Sequence, residues 1–333
     1  MSDSFVKSFV KKVTMVCALM AMVFGPSSAF AATKLKLAHQ FAPDSLAGQS
    51  VNRFAETVAK KTDGRVTVQV LPGGAMGDER ANLQQLSSGS LDIALVGDLV
   101  TSYMARDYML MSMPFVYDSP KHALAVFRGD LGKELNKVVH DNNGITVLGW
   151  QYVGTRELTA NKPIKTLAEL KGLKMRLANA EILVKTWGKT GVNILNINFN
   201  ELYLALQTGT VEAQENPPNF IRANKFNEVQ KYLIATEHLP QMQCLFMNSE
   251  RLEGLDEADR KAIVEAGEES VAWTSDTAAA IQKSDTEWLL SEGKMTLVNI
   301  DMNGIQDIIK GVPSELQGEN GVKLYQRIRQ TKY

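Results

Sequence analysis

The chain has 333 residues, with 36 basic and 37 acidic side chains and a formal net charge of −1; 44% of its residues are hydrophobic and two are cysteines. No long basic block is present, which leaves nucleic-acid binding without support. A chain of this length can bury enough apolar surface for two domains without disulfide staples.

The N-terminus reads as a secretory leader. Lys7, Lys11 and Lys12 are followed by an uncharged, largely apolar run of 12 residues, 13–24, and then by the small-x-small site Ala29-Phe30-Ala31. The run is shorter than the roughly 20 residues that span a bilayer; the alternative is an uncleaved N-terminal anchor. Cleavage is expected after Ala31, leaving 302 residues (333 − 31) with 33 basic and 36 acidic side chains, a charge near −3. Cys17 lies in the apolar run without a lipobox, so no lipoprotein is expected. Cys244 is then the single mature thiol and, inside the strand-like segment 242–247, is expected to be buried and inert.

In the mature chain, residues 34–38 alternate as a half-buried strand does. Pro43-Asp44-Ser45 offers an N-cap for a helix carrying Val51, Phe54, Ala55, Val58 and Ala59, stopped by Gly64. Val66, Val68 and Val70 mark a second strand. After a Gly-rich turn, Asp78 caps a helix with Leu83 and Leu86, and 91–96 is a third strand. This order predicts mainly parallel strands with right-handed crossovers. The pattern restarts after Asn143-Gly144. Strands are predicted at 145–148, 173–177, 193–197 and 211–214, with a helical turn at 166–170 and helices at about 180–189 and 200–207. Residues 256–292 read as a long helix with Ile263, Val271, Trp273, Ile281 and Trp288 as buried anchors. Two α/β lobes fit this better than one large sheet.

The candidate site residues sit at the ends of these elements, where open α/β sheets collect ligands. His39 and Gln40 follow the first strand and Asp98 follows the third. Asp98 can accept hydrogen bonds from hydroxyls but would repel a nearby carboxylate; His39 reads equally as a structural histidine. Arg156 follows Gly154-Thr155 and is either an anion contact or half of an ion pair within its lobe. Arg176 ends the strand Leu173-Lys174-Met175-Arg176, and its planar guanidinium matches a carboxylate with two parallel hydrogen bonds; the alternative is an ordinary surface ion pair. Phe199 lies at a strand-to-helix junction, where the residue alone reads as plain core. Asn216 precedes two prolines that hold the backbone extended, so its amide can donate to a carboxylate or serve only the turn. Arg156 and Arg176 are 20 residues apart, and Asn216 follows Arg176 by 40.

Several catalytic patterns are missing. The glycines around Ala75-Met76 lack the Lys-Ser/Thr of a phosphate loop. There is no Gly-x-Ser-x-Gly elbow, and His39, His122, His140 and His238 have no zinc-ligand spacing. No cofactor, metal or catalytic group is expected.

The series Gly154-Thr155-Arg156, Lys171-Gly172-Leu173-Lys174-Met175-Arg176, Phe199 and Gln214-Glu215-Asn216-Pro217, behind a secretory leader, resembles the ligand site of the DctP-type solute receptors of TRAP transporters. The resemblance covers nearly the whole mature chain. It implies an α/β, two-lobed periplasmic binding protein with a ligand cleft between the lobes and a long lobe-spanning helix. Lobe I would be residues 32–153 plus about 242–282, and lobe II 154–241 plus about 283–333. It implies that Phe199 packs against the ligand and that Arg176 clamps the carboxylate of a small organic acid, a sugar acid such as a uronate or a C4-dicarboxylate. TRAP membrane permease subunits would be the partners and the periplasm the location; the mature chain is expected to be a monomer that is not membrane-inserted. A secreted enzyme acting on an organic acid and a sensor-linked receptor are the alternatives.

Overall fold

The computed structural model describes residues 32–333; the expected leader and its cleavage point lie outside the described residues. Among the described residues nine strands form: β1 (Thr33–Ala38), β2 (Val66–Leu71), β3 (Ile93–Gly97), β4 (Ile145–Ala160), β5 (Lys174–Leu177), β6 (Asn193–Asn196), β7 (Ala213–Asn216), β8 (Tyr232–Asn248) and β9 (Thr296–Asn299). The helices of six or more residues are α1 (Leu46–Lys61), α2 (Glu79–Ser87), α3 (Pro120–Arg128), α4 (Asp130–Asn143), α5 (Glu181–Gly188), α6 (Leu202–Gln207), α7 (Pro218–Ala223), α8 (Glu257–Leu290) and α9 (Val312–Gln330). The expected caps are in place: the Ser45 side chain accepts from the Gly48 N–H and Asp78 from the Ala81 N–H.

The strands hydrogen-bond in the order β2-β1-β3-β8-β4-β7-β5-β6, with β9 on β8. β1 is parallel to β3, and β5 to β6 and β7, but β8 runs antiparallel to β3 and β4, and β4 antiparallel to β7. The parallel pairing expected of the first strands holds for β1 and β3, and β9 is likewise parallel to β8; the antiparallel pairs are those made by the two long strands. The expectation against one large sheet is corrected, because β4 and β8 are long enough to join every strand into one hydrogen-bonded array. The strand expected at 145–148 continues to Ala160. Gly149 and the polar Thr155, Arg156, Glu157 and Thr159 interrupt the apolar pattern, yet all four polar side chains are buried and hydrogen-bonded.

The two long strands change register midway. Tyr152 pairs with Met242, and pairing resumes at Thr155 with Pro240, so two residues of β4 face one of β8. Such a bulge bends a strand and re-aims the side chains beyond it. Gly154 lies in it at φ +130°, and an added Cβ would sit 3.0 Å from the Pro217 Cβ and 3.1 Å from the Gln282 Oε1. Gly154→Ala is expected to cost about 1–2 kcal/mol in chemical denaturation, and an unchanged midpoint would contradict the strained role of this bend.

Helix α8 extends past the bulge. Near its start Asp259 pairs with Arg65, and Glu265 and Glu269 with Lys61, beside α1; near its end Asp285 pairs with Arg222 of α7. Ile263 and Val271 are buried as expected, but Trp273, Ile281 and Trp288 are only partly buried. The two indoles pack against the core and also carry cations: Arg53 stands 5.2 Å over Trp273 and Arg222 4.5 Å over Trp288. Cys244 is fully buried on β8, and burial holds its thiol well above the usual range.

Candidate functional site

The ends of β1, β3, β5, β7 and the bend of β4–β8 converge on two adjoining chambers of about 40 and 70 Å³. The first is lined by Gln40, Glu79, Arg156, Arg176, Asn216 and Gln241, among others, and the second shares Gln40, Glu79, Arg176 and Phe199 with it. Five of the seven residues singled out from sequence are thus brought together: Gln40, Arg156, Arg176, Phe199 and Asn216. The other two are not on these walls. His39 is 1% exposed with neither ring nitrogen hydrogen-bonded, and burial pulls its pKa down to about 4, so it is neutral. Asp98 is fully buried behind Gln241, whose Nε2 donates to its Oδ1 at 2.7 Å.

Arg176 and Arg156 are both about 3% exposed, but their partners differ. Arg156 is largely committed: its Nε and Nη2 grip the Glu215 carboxylate, Nη2 also donates to the Glu215 carbonyl at 2.6 Å, and Nη1 donates one hydrogen to Gln241 Oε1. The expected ion pair within its lobe is therefore formed, while Arg156 also lines the chamber. Arg176 donates only its Nε, to the Ile197 carbonyl at 2.8 Å. No carboxylate lies within ion-pair range of it among the described residues, and its guanidinium carbon stands 6.0 Å from the centre of the Phe199 ring. Burial draws its pKa down to about 10, so it stays charged at neutral pH. A buried cation without a counter-ion is costly; an incoming anion relieves that cost.

Glu215 explains how the site keeps one arginine occupied. Burial alone would raise its carboxyl; the Arg156 charge and hydrogen bonds from His238 and Arg156 more than offset this and bring it down to about 2. Its Oε2 also meets His238 Nε2 at 2.9 Å, and His238 Nδ1 meets Thr236 Oγ1 at 2.8 Å. Because the folded value lies below the usual 4.5, the stability this carboxylate contributes is present above pH 4.5 and is lost as pH falls toward 2. Wild-type protein is therefore expected to lose more stability between pH 5 and pH 3 than Glu215→Gln in chemical denaturation. Equal losses would show that this carboxylate carries no such coupling.

Asn216 is oriented by a relay that starts at backbone carbonyls. Gln230 Nε2 donates to the Val229 and Glu212 carbonyls, so its Oε1 must accept from Thr159 Oγ1 at 2.9 Å. Thr159 in turn accepts from Gln214 Nε2 at 2.9 Å, which leaves Gln214 Oε1 to accept from Asn216 Nδ2 at 2.6 Å. Among the described residues, the other amide hydrogen and the carbonyl oxygen of Asn216 have no partner, and Asn216 lines the chamber wall.

Glu79, Gln241, Phe41 and Phe220 also line the first chamber and were not identified from sequence. Glu79 accepts the Gly97 N–H at 2.7 Å, and burial pushes its carboxyl up to about 7. Phe41 stacks on Phe220 at 5.0 Å with Phe199 edge-on to both, forming an aromatic wall. Glu215 stood in the motif beside Asn216 without a role. Its position one residue before Asn216 in a strand was the available signal for it. No group of three His, Cys, Asp or Glu side chains is placed to hold a metal among the described residues.

Residues 37–317 match the family model described as bacterial extracellular solute-binding protein, family 7. The chain is 32% identical to a sialic acid-binding periplasmic protein of Vibrio cholerae over 72% of this chain and 75% of that one. It is 29% identical to a C4-dicarboxylate-binding periplasmic protein of Rhodobacter capsulatus over 78% of this chain and 77% of that one. Its backbone superposes on the crystal structure of a TRAP periplasmic solute binding protein from Bordetella bronchispeptica, with pantoate assigned to its density. The TM-score there is 0.85 at 28% identity, covering 90% of this chain and all of the other. The architecture is that two-lobed α/β fold.

Proposed function

Because this chain belongs to the bacterial extracellular solute-binding proteins of family 7, we propose that it captures a small organic acid at Arg176 in the periplasm and delivers it to the membrane subunits of a TRAP transporter. Members of the family are solute-binding proteins, not enzymes. The observation that carries the reading is the buried Arg176 guanidinium, whose two terminal nitrogens have no protein acceptor among the described residues. In this reading Arg176 clamps the carboxylate, and Asn216 donates its free amide hydrogen to it. Phe199 and Gln40 line the ligand. Arg156, tied to Glu215, shapes the wall, while Asp98 acts from behind Gln241 and His39 makes no contact. Sialic acid and pantoate, named for two relatives, are hydroxylated monocarboxylates, and a third relative is named for C4-dicarboxylates; a sugar acid or a C4-dicarboxylate is the ligand class.

The chambers are far smaller than the roughly 300–1,000 Å³ of ligand clefts, so entry of such an acid requires the walls to part. Residues 32–153 with about 242–282 form one moving lobe, and 154–241 with about 283–333 the other. The register shift between Tyr152 and Thr155 supports the first boundary. Closure around the ligand then brings Gln40 and Glu79 against Arg176 and Asn216. No helix among the described residues is long and apolar enough to cross a membrane. A thermal-shift screen of organic acids tests the reading. A stabilising acid recovered unchanged is the expected result, and chemical turnover of the acid, or no stabilisation by any acid, would contradict it.

A further inference from the structure

A groove of about 720 Å³ lies apart from the Arg176 chambers and has the volume of a small-molecule site. The same two strands back both. On β4, Thr155 and Glu157 line the groove while Arg156, between them, lines the chamber; on β8, Pro240 lines the groove and its neighbour Gln241 the chamber. The groove is closed on its other sides by α8, through Ala279 and Gln282, and by β9, through Leu297.

Two of its carboxylates have no cation within ion-pair range among the described residues. Glu157 is only 6% exposed, and its Oε2 accepts the Glu237 N–H at 2.8 Å. Burial, helped by the like charge of Glu237, pushes the Glu157 carboxyl up to about 7. Of the other charged groups on the walls, Asp118 holds Arg329 at 2.6 Å, while Lys283 and Glu287 are both exposed and 4.0 Å apart. The groove is also lined by Leu233 and Pro240 of the neighbouring β8 and by Leu297 of β9, and Leu297 is 45% exposed. A buried carboxylate without a counter-charge and a leucine left to solvent, lining one cavity of ligand size, are complementary to a cation with an apolar body. An acid would meet Glu157 and Glu237 with like charge, and a purely apolar molecule would leave Glu157 uncompensated.

We propose that this groove is a second binding site, for a small organic amine whose ammonium lies on Glu157 and whose apolar body covers Leu297. The site is independent of the acid-binding reading, because none of its side chains lines the Arg176 chambers. Calorimetric titration of the full chain with phenethylamine, and with neutral 2-phenylethanol as control, tests it. Phenethylamine is expected to bind at one site and more tightly than the alcohol. Glu157→Gln keeps an acceptor for the Glu237 N–H and should weaken the amine about tenfold or more. Leu297→Ser, at an exposed position that cannot unsettle the core, should weaken it several-fold; wild-type unfolding midpoints for both variants show that folding is intact. No heat at millimolar phenethylamine, equal binding of amine and alcohol, or amine affinity unchanged in both variants would overturn the site.

Discussion

Arg176→Ala is expected to weaken binding of the protein's organic acid by roughly 30-fold to several thousand-fold. Removing one partner of a buried, hydrogen-bonded charge pair costs about 2–5 kcal/mol, at 1.4 kcal/mol per decade of affinity. Arg176→Lys should fail almost as badly, because an ammonium keeps the charge and loses the planar fork. The empty protein should tolerate either change. Arg176 makes one side-chain hydrogen bond, through Nε to Ile197, and has no ion pair to lose, and removing an uncompensated buried charge relieves strain in the unliganded state. Calorimetry that finds near-wild-type affinity for Arg176→Lys would exclude a bidentate role.

Asn216→Asp is expected to cut affinity about 100-fold or more at neutral pH, because a second negative charge would stand beside the bound carboxylate where little water screens it. The relay through Gln214 adds a smaller effect on the empty protein. An aspartate cannot donate to Gln214 Oε1, which loses one hydrogen bond and about 1 kcal/mol of stability. Affinity should therefore fall by more than stability does, and should recover partly at lower pH as the introduced carboxyl protonates. Normal binding at pH 7, or a loss of affinity no larger than the loss of stability, would reduce Asn216 to a structural amide.

The sequence was legible where a side chain's role follows from its own surroundings in the chain. Ser45 and Asp78 cap the helices their positions suggested, and the helix expected at 256–292 forms at Glu257–Leu290. It was least legible in β4 and β8. Their polar residues break the alternation that marks a strand, and are buried only because each meets a partner far along the chain, as Gln151 meets Gln243 at 3.1 Å. The same limit governs the two arginines. Arg156 and Arg176 look alike in sequence, and what separates them is Glu215, 59 residues from one and without a contact to the other. The gathering of Gln40, Arg176 and Asn216 at one cavity follows from strand order, which no local pattern encodes. His39, whose strand-end position fitted a cleft residue and a structural histidine equally, is buried and absent from the chamber walls.

A crystal structure of the protein with an acid recovered from the thermal-shift screen addresses the central claim most directly. The account predicts the ligand's two carboxylate oxygens about 2.7–2.9 Å from the two terminal nitrogens of Arg176, with Asn216 Nδ2 on one of them and Arg156 still held by Glu215. A carboxylate bound elsewhere, with the Arg176 terminal nitrogens left to water, would contradict it.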